Sequence, residues 1–104
     1  MIILFTLIAF SSCVKKVNSE GTVYSKSGKP VPYAVVTLLL YTSGTDTPLD
    51  SRYRTTAGAD GHFRFSEMIA KNRSFGLDVV EGKEWFHKEH LSREDLKHYN
   101  IHLN

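Results

Sequence analysis

Three sets of side chains in this sequence have the chemistry to react, ligate or hold charge. Cys13 is the only thiol of the chain and directly follows the small residues Ser11 and Ser12, a setting that suits covalent attachment rather than core packing. Five histidines include the spacings His87-x-x-His90 and His98-x-x-x-His102, and imidazole is a common metal ligand. Arg52, Arg54, His62 and Arg64 flank a short Gly-rich segment. They would form a small anion-attracting or partner-binding patch if their two segments pair as a hairpin, unless a carboxylate such as Asp50 or Glu67 lies between the arginines.

Spacing weighs against a metal centre. On a strand rising about 3.3 Å per residue, His98 and His102 stand about 13 Å apart, too far to share an ion. His87 and His90 meet only if the chain turns between them, so they remain the metal candidates and the expectation is surface histidines. Asp60 precedes Gly61 in a turn signal, and Glu94-Asp95 follow Ser92 at a helix start, so these acids have structural roles. No Ser-His-Asp order, phosphate-cradling glycine loop or closely paired carboxylates stand out. The reading is therefore non-enzymatic, with no catalytic residue and no cofactor assigned.

These side chains are positioned by two contrasting regions. Ile2 to Phe10 is apolar apart from Thr6, too short for a permanent membrane helix and of the length of a signal-peptide core. Phe10-Ser11-Ser12-Cys13 resembles the lipobox of bacterial lipoproteins, which implies cleavage before Cys13 and acylation of its thiol. The expected organisation is a signal peptide over 1–12, a lipidated tether over 13–19 and one domain over 20–104. Lys15 and Lys16, beside the anchor, would favour anionic head groups by about 1 kcal/mol each. The whole chain has a formal net charge of +2, with no basic stripe of the kind nucleic-acid binding requires.

Beyond the tether, apolar residues recur at every second position between turn signals, the spacing of an all-β sandwich. Strands are expected at Gly21–Tyr24, Val35–Tyr41, Arg52–Thr56, His62–Phe65, Ser74–Val80 and Tyr99–Asn104, with Thr42–Leu49 as a loop. Arg52–Thr56 and His62–Phe65 read as a hairpin across Asp60-Gly61. That register puts Tyr53, Thr55, Phe63 and Phe65 on one side and Arg54 near Arg64 on the other. Val35–Tyr41 is apolar on both faces, so its outer face needs a cover, and the C-terminal stretch is the expected one. Trp85-Phe86 reads as an aromatic plug or strand extension, and Ser92 as the cap of one helical turn.

Gly21-Thr22-Val23, Gly28-Lys29-Pro30-Val31-Pro32-Tyr33-Ala34-Val35-Val36, and Thr55-Thr56 ahead of Asp60-Gly61-His62-Phe63-Arg64-Phe65 together resemble the carboxypeptidase regulatory-like domains of the transthyretin-like group. The resemblance covers about Val17 to Val80. It implies an antiparallel two-sheet Greek-key sandwich of about seven strands, without catalytic activity of its own, in a lipoprotein of the bacterial envelope facing the periplasm. The implied partners are membrane lipid, through acylated Cys13, and an envelope protein or polysaccharide. The alternatives are a histidine-based metal binder or a small hydrolase similar to hydroxyisourate hydrolase. His98-Tyr99-Asn100-Ile101-His102-Leu103 partly matches that enzyme's last motif, whereas its first-strand histidine and its Tyr-Arg-Gly-Ser tail have no counterpart here.

Overall fold

The period-two pattern folds into seven strands and one short helix: β1 (Val14–Tyr24), β2 (Val35–Thr42), β3 (Pro48–Thr56), β4 (His62–Ala70), β5 (Arg73–Glu81), β6 (Glu84–Leu91), α1 (Arg93–Lys97) and β7 (Ile101–His102). This computed structural model describes residues 14–42 and 48–104, with 48–52 as backbone alone. The strands form two sheets, ordered β4-β1-β7 and β3-β2-β5-β6. Every pairing is antiparallel except β1 with β7, which is parallel. The fold class is an all-β sandwich.

Its core lies between the sheets. β4 sends Phe63, Phe65 and Ile69 inward to meet Val36, Leu38 and Leu40 of β2 and Phe75, Leu77 and Val79 of β5. Each such side chain removed from water contributes about 1.5–3 kcal/mol. The alternation that singles out Phe63, Phe65, Phe75, Leu77, Val79, Ile101 and Leu103 in the sequence is the alternation that buries them.

Several boundaries differ from expectation. The first strand begins at Val14 and pairs with β4 from Val14↔Ala70 onward, so residues 14–19, expected in a tether, are strand. β3 opens at Pro48, where a loop was expected, whereas Trp85-Phe86 lies in β6, as the strand-extension alternative has it. The final strand shrinks to Ile101–His102, although Tyr99 still packs against the core.

The largest departure concerns β3 and β4. They are not a hairpin: β3 pairs with β2 and β4 with β1, in different sheets. The segment Ala57 to Gly61 is a corner between sheets. Gly61 takes φ +79°, and a side chain there would press on the Val23 carbonyl and the Val31 amide; only glycine meets both demands without strain.

The C-terminal stretch does not cover β2. It packs against the other sheet, with Leu96 of α1 buried and the Tyr99 N–H donating to the Glu20 carbonyl at 2.9 Å. On the outer face of β2, the Tyr41 ring instead lies against Gly76 of β5. Ser92 caps α1 as expected, in a reciprocal box in which its hydroxyl accepts from the Asp95 amide and the Asp95 carboxylate accepts from the Ser92 amide. That pairing holds the Asp95 carboxyl below its ordinary value. Arg93 then crosses to the sheet ends, donating to the carbonyls of Lys15, Ile69 and Ala70 at 3.3, 3.1 and 2.7 Å, with its guanidinium 5.3 Å from the Phe75 ring centre.

Two inward positions of β1 give opposite expectations. A Cβ on Gly21 would collide with the carbonyl oxygen of Tyr99, so Gly21→Ala should destabilise the fold by about 3 kcal/mol or more by displacing the terminal segment from β1. A urea midpoint equal to that of the parent would disprove the close approach. Ser19 is buried, and its hydroxyl has no hydrogen-bond partner among the described residues. Ser19→Ala should therefore leave stability unchanged or raise it by about 1 kcal/mol, and a clear loss in the same titration would reveal a bond the hydroxyl makes.

Candidate interaction surface

The corner between sheets decides the fate of the arginine patch. His62 and Arg64 stand on β4 opposite Thr22 and Glu20 of β1, while Arg54 is exposed on β3 opposite Thr37 of β2. Arg54 and Arg64 therefore sit on different sheets and do not form one patch. Cys13 lies outside the described residues, as does the side chain of Arg52.

A carboxylate does accompany Arg64, that of Glu20, while the side chain of Asp50 lies outside the described residues. Glu20 Oε2 lies 3.3 Å from Arg64 Nη2 and 3.9 Å from His62 Nε2, and Oε1 lies 3.7 Å from His98 Nδ1. These contacts are open to solvent, so each is worth no more than about 1 kcal/mol. They leave a shallow polar groove on the outer face of β1 and β4, bounded by Lys16, Asn18, Arg64, Ser66 and Lys97.

The histidines are dispersed in the same way. His98 follows α1 and approaches Glu20, whereas His102 stacks on Tyr24 with ring centres 5.0 Å apart. His87 and His90 share β6, where a bulge opposite Gly76 holds His90 at φ 59°. Both approach Glu89, His87 Nε2 at 3.0 Å and His90 Nε2 at 3.8 Å, while His87 Nδ1 lies 3.3 Å from Asp78. With a carboxylate near each ring nitrogen, the imidazolium form of His87 is stabilised relative to that of a free histidine. The Glu89 hydrogen bond is the main cause of its raised pKa; partial burial opposes the rise and Asp78 adds to it. Among the described residues, no group of three or more His, Cys, Asp or Glu side chains is placed to hold a metal ion.

The most distinctive surface is apolar and lies on the outer face of the four-stranded sheet. Val80 pairs directly with Trp85, and the register Val36↔Val79 sets Val35 beside Val80. Val35, Val80 and Trp85 thus form a row across β2, β5 and β6, with 44%, 65% and 52% of their surfaces exposed. Tyr33, two residues before Val35, is also exposed and held at φ 59°, a conformation that costs a non-glycine residue about 1 kcal/mol or more. The next row, Thr37, Asp78 and His87, is polar.

Neighbouring large apolar side chains left in water on a rigid sheet make a surface suited to association. A signal for this row was present in the sequence: Gly82-Lys83 is a two-residue turn, and centring a hairpin on it brings Val80 opposite Trp85. Of the two expectations for Trp85-Phe86, a plug or a strand extension, the strand is the one found.

No family model matches the chain, and no curated protein or solved structure shows significant similarity to it.

The paired His87 has a defined pH signature. Its folded pKa is raised above the ordinary 6.5, so the stability it contributes is fully present below that value and is lost as pH rises through the folded pKa. The difference in Tm between the parent and His87→Gln should be positive below pH 6.5 and shrink as pH rises above it. A difference independent of pH would show that His87 does not act through its charge.

Proposed function

We propose that this chain is a membrane-anchored lipoprotein whose β-sandwich serves as a non-catalytic binding or scaffolding module of the bacterial envelope, facing the periplasm. The observation that carries the binding role is the exposed row of Val35, Val80 and Trp85 in register across three strands. A large aromatic flanked by aliphatic side chains is the composition of an interface centre, where burial of a few such groups supplies most of the affinity. The partner is an envelope protein or polysaccharide, which meets this row with an apolar segment or a sugar face.

The anchor rests on the apolar run ending in Phe10-Ser11-Ser12-Cys13. Acylation at Cys13 would attach the lipid one residue before β1 begins, with no spacer to let the sandwich drift from the bilayer. The carboxypeptidase regulatory-like, transthyretin-like reading is supported by the path of the first four strands. β4 returns to lie beside β1 while β2 and β3 pair in the facing sheet, a path compatible with a Greek-key sandwich. In this reading Arg64 and His62 act with Glu20, Lys16 and Lys97 as a polar groove rather than as a site with Arg52 and Arg54.

Two measurements in the living bacterium test the two halves of this reading. Palmitate should label the intact protein and not Cys13→Ala, and equal labelling of both would overturn the anchor. A photoreactive phenylalanine analogue at position 85 should give an adduct on illumination, discrete for a protein partner and smeared for a polysaccharide. The same analogue at position 54, on an exposed part of β3, should give none. Equal adducts at 54 and 85, or none at either, would remove the Trp85 row as the binding face.

A further inference from the structure

The end of the sandwich at which β1 begins is strongly cationic, and most of its positive groups come from distant parts of the sequence. Lys15 of β1, Lys71 between β4 and β5, and Arg93 of α1 surround one hollow together with Val14. Lys71 and Arg93 also border a second hollow with Arg73 of β5 and His90 of β6. Four permanent cations therefore converge on one tip. Among the described residues the only acid lining either hollow is Glu94, which pairs with Lys97 at 3.0 Å.

Arg93 is committed to backbone carbonyls. Arg73 reaches the Asn72 side chain at 2.8 Å, a neutral partner. Lys15 and Lys71 are exposed. Beside them, Lys16 pairs across the sheet with Met68, an apolar side chain with 58% of its surface in water.

We propose that this tip, built by Val14, Lys15, Lys16, Met68, Lys71 and Arg73, rests on an anionic lipid surface, the cations on phosphate head groups and Met68 against the boundary of the acyl chains. The proposal rests on the reading of Cys13 as a lipid anchor, because Cys13 immediately precedes Val14, where β1 begins. An acyl chain on Cys13 would therefore enter the bilayer beside the end of the fold where Lys15, Lys71 and Arg93 gather. Each lysine or arginine near such a surface raises the affinity about fivefold, and an acyl chain supported by several basic groups is the combination that holds a protein stably at a membrane.

The test uses the full chain in vesicles, with Met68→Cys carrying an environment-sensitive fluorophore and Cys13 either acylated or replaced by serine. Vesicles of phosphatidylcholine alone are compared with equimolar phosphatidylcholine and phosphatidylglycerol. In the anionic vesicles the probe should shift to shorter wavelength and be quenched by head-group nitroxides, and added salt should reverse both effects. Lys15→Gln, Lys71→Gln and Arg73→Gln combined should abolish the response, while a probe at Lys83→Cys, in the β5–β6 turn, should stay in water in both lipids. Equal responses in the two lipids, or an unchanged response in the triple variant, would overturn the proposal. Mass spectrometry of the Cys13 peptide is read separately: an unmodified thiol defeats the anchor, while the lipid dependence of the Met68→Cys probe decides the tip.

Discussion

The corner from Ala57 to Gly61 is the constraint that organises this molecule. The Ala57 N–H donates to the Ala34 carbonyl at 2.8 Å, which ties the end of β3 to the start of β2. The Gly61 carbonyl accepts from the Val23 N–H at 2.9 Å, which ties the start of β4 to β1. Within the corner, Gly58 and Gly61 close on themselves, and Asp60 Oδ1 accepts from the His62 amide at 3.1 Å. The chain is thereby bound to both sheets at the point where it passes from one to the other. A hairpin would place Phe63 and Phe65 in the same sheet as Tyr53 and leave β1 without its long partner. The corner sends them across the core, where they face β2 and β5.

The other side of the sandwich is closed by the C-terminal residues. Leu103 donates to the Tyr24 carbonyl at 2.9 Å, and Asn104 exchanges backbone hydrogen bonds with Trp85 at 2.8 and 3.3 Å. Phe86 and Tyr99 meet beneath them with ring centres 6.0 Å apart. A short β7 is enough because it joins β1 at Val23↔Ile101 and then hands the chain to β6. Because its backbone is held by Asn104, Trp85 is fixed at the rim with its ring outward rather than being drawn into the core. The same closure explains why Gly21 cannot carry a side chain: the terminal segment must pass directly over β1 to reach β6.

Much of this was legible in the sequence, and the failures share a cause. Strands with apolar residues at alternate positions, such as β4 and β5, announce both their type and their inward face. Ser92 announces the helix. The first half of β1 does not, because its inward positions after Val17 are Ser19 and Gly21, small residues chosen by the approach of α1 and Tyr99 rather than by an apolar core. β6 is hidden by its charges, as edge strands commonly are. The Asp-Gly turn was read as a hairpin because local turn chemistry is the same whether the next strand joins the same sheet or the facing one. Only long-range pairing separates the two, and that choice scattered Arg54 and Arg64. The candidate surface was therefore the least legible part, since a face is set by register between strands and not by residues adjacent in sequence.

Anchor and binding face also follow from one direction, that of β5. Arg73 stands at the cationic tip and Val80 in the apolar row, seven residues along the same strand. At about 3.3 Å per residue the two lie about 23 Å apart. A sandwich seated on the membrane by its tip therefore holds Val35, Val80 and Trp85 well beyond the head groups, on the end that points into the aqueous space. With a lipid on Cys13, one residue before β1, the domain would have little room to turn over. A long flexible tether would let any face meet the bilayer; a strand beginning one residue after a lipidated Cys13 would instead act as a rigid stalk, and that rigidity would select which face a partner meets.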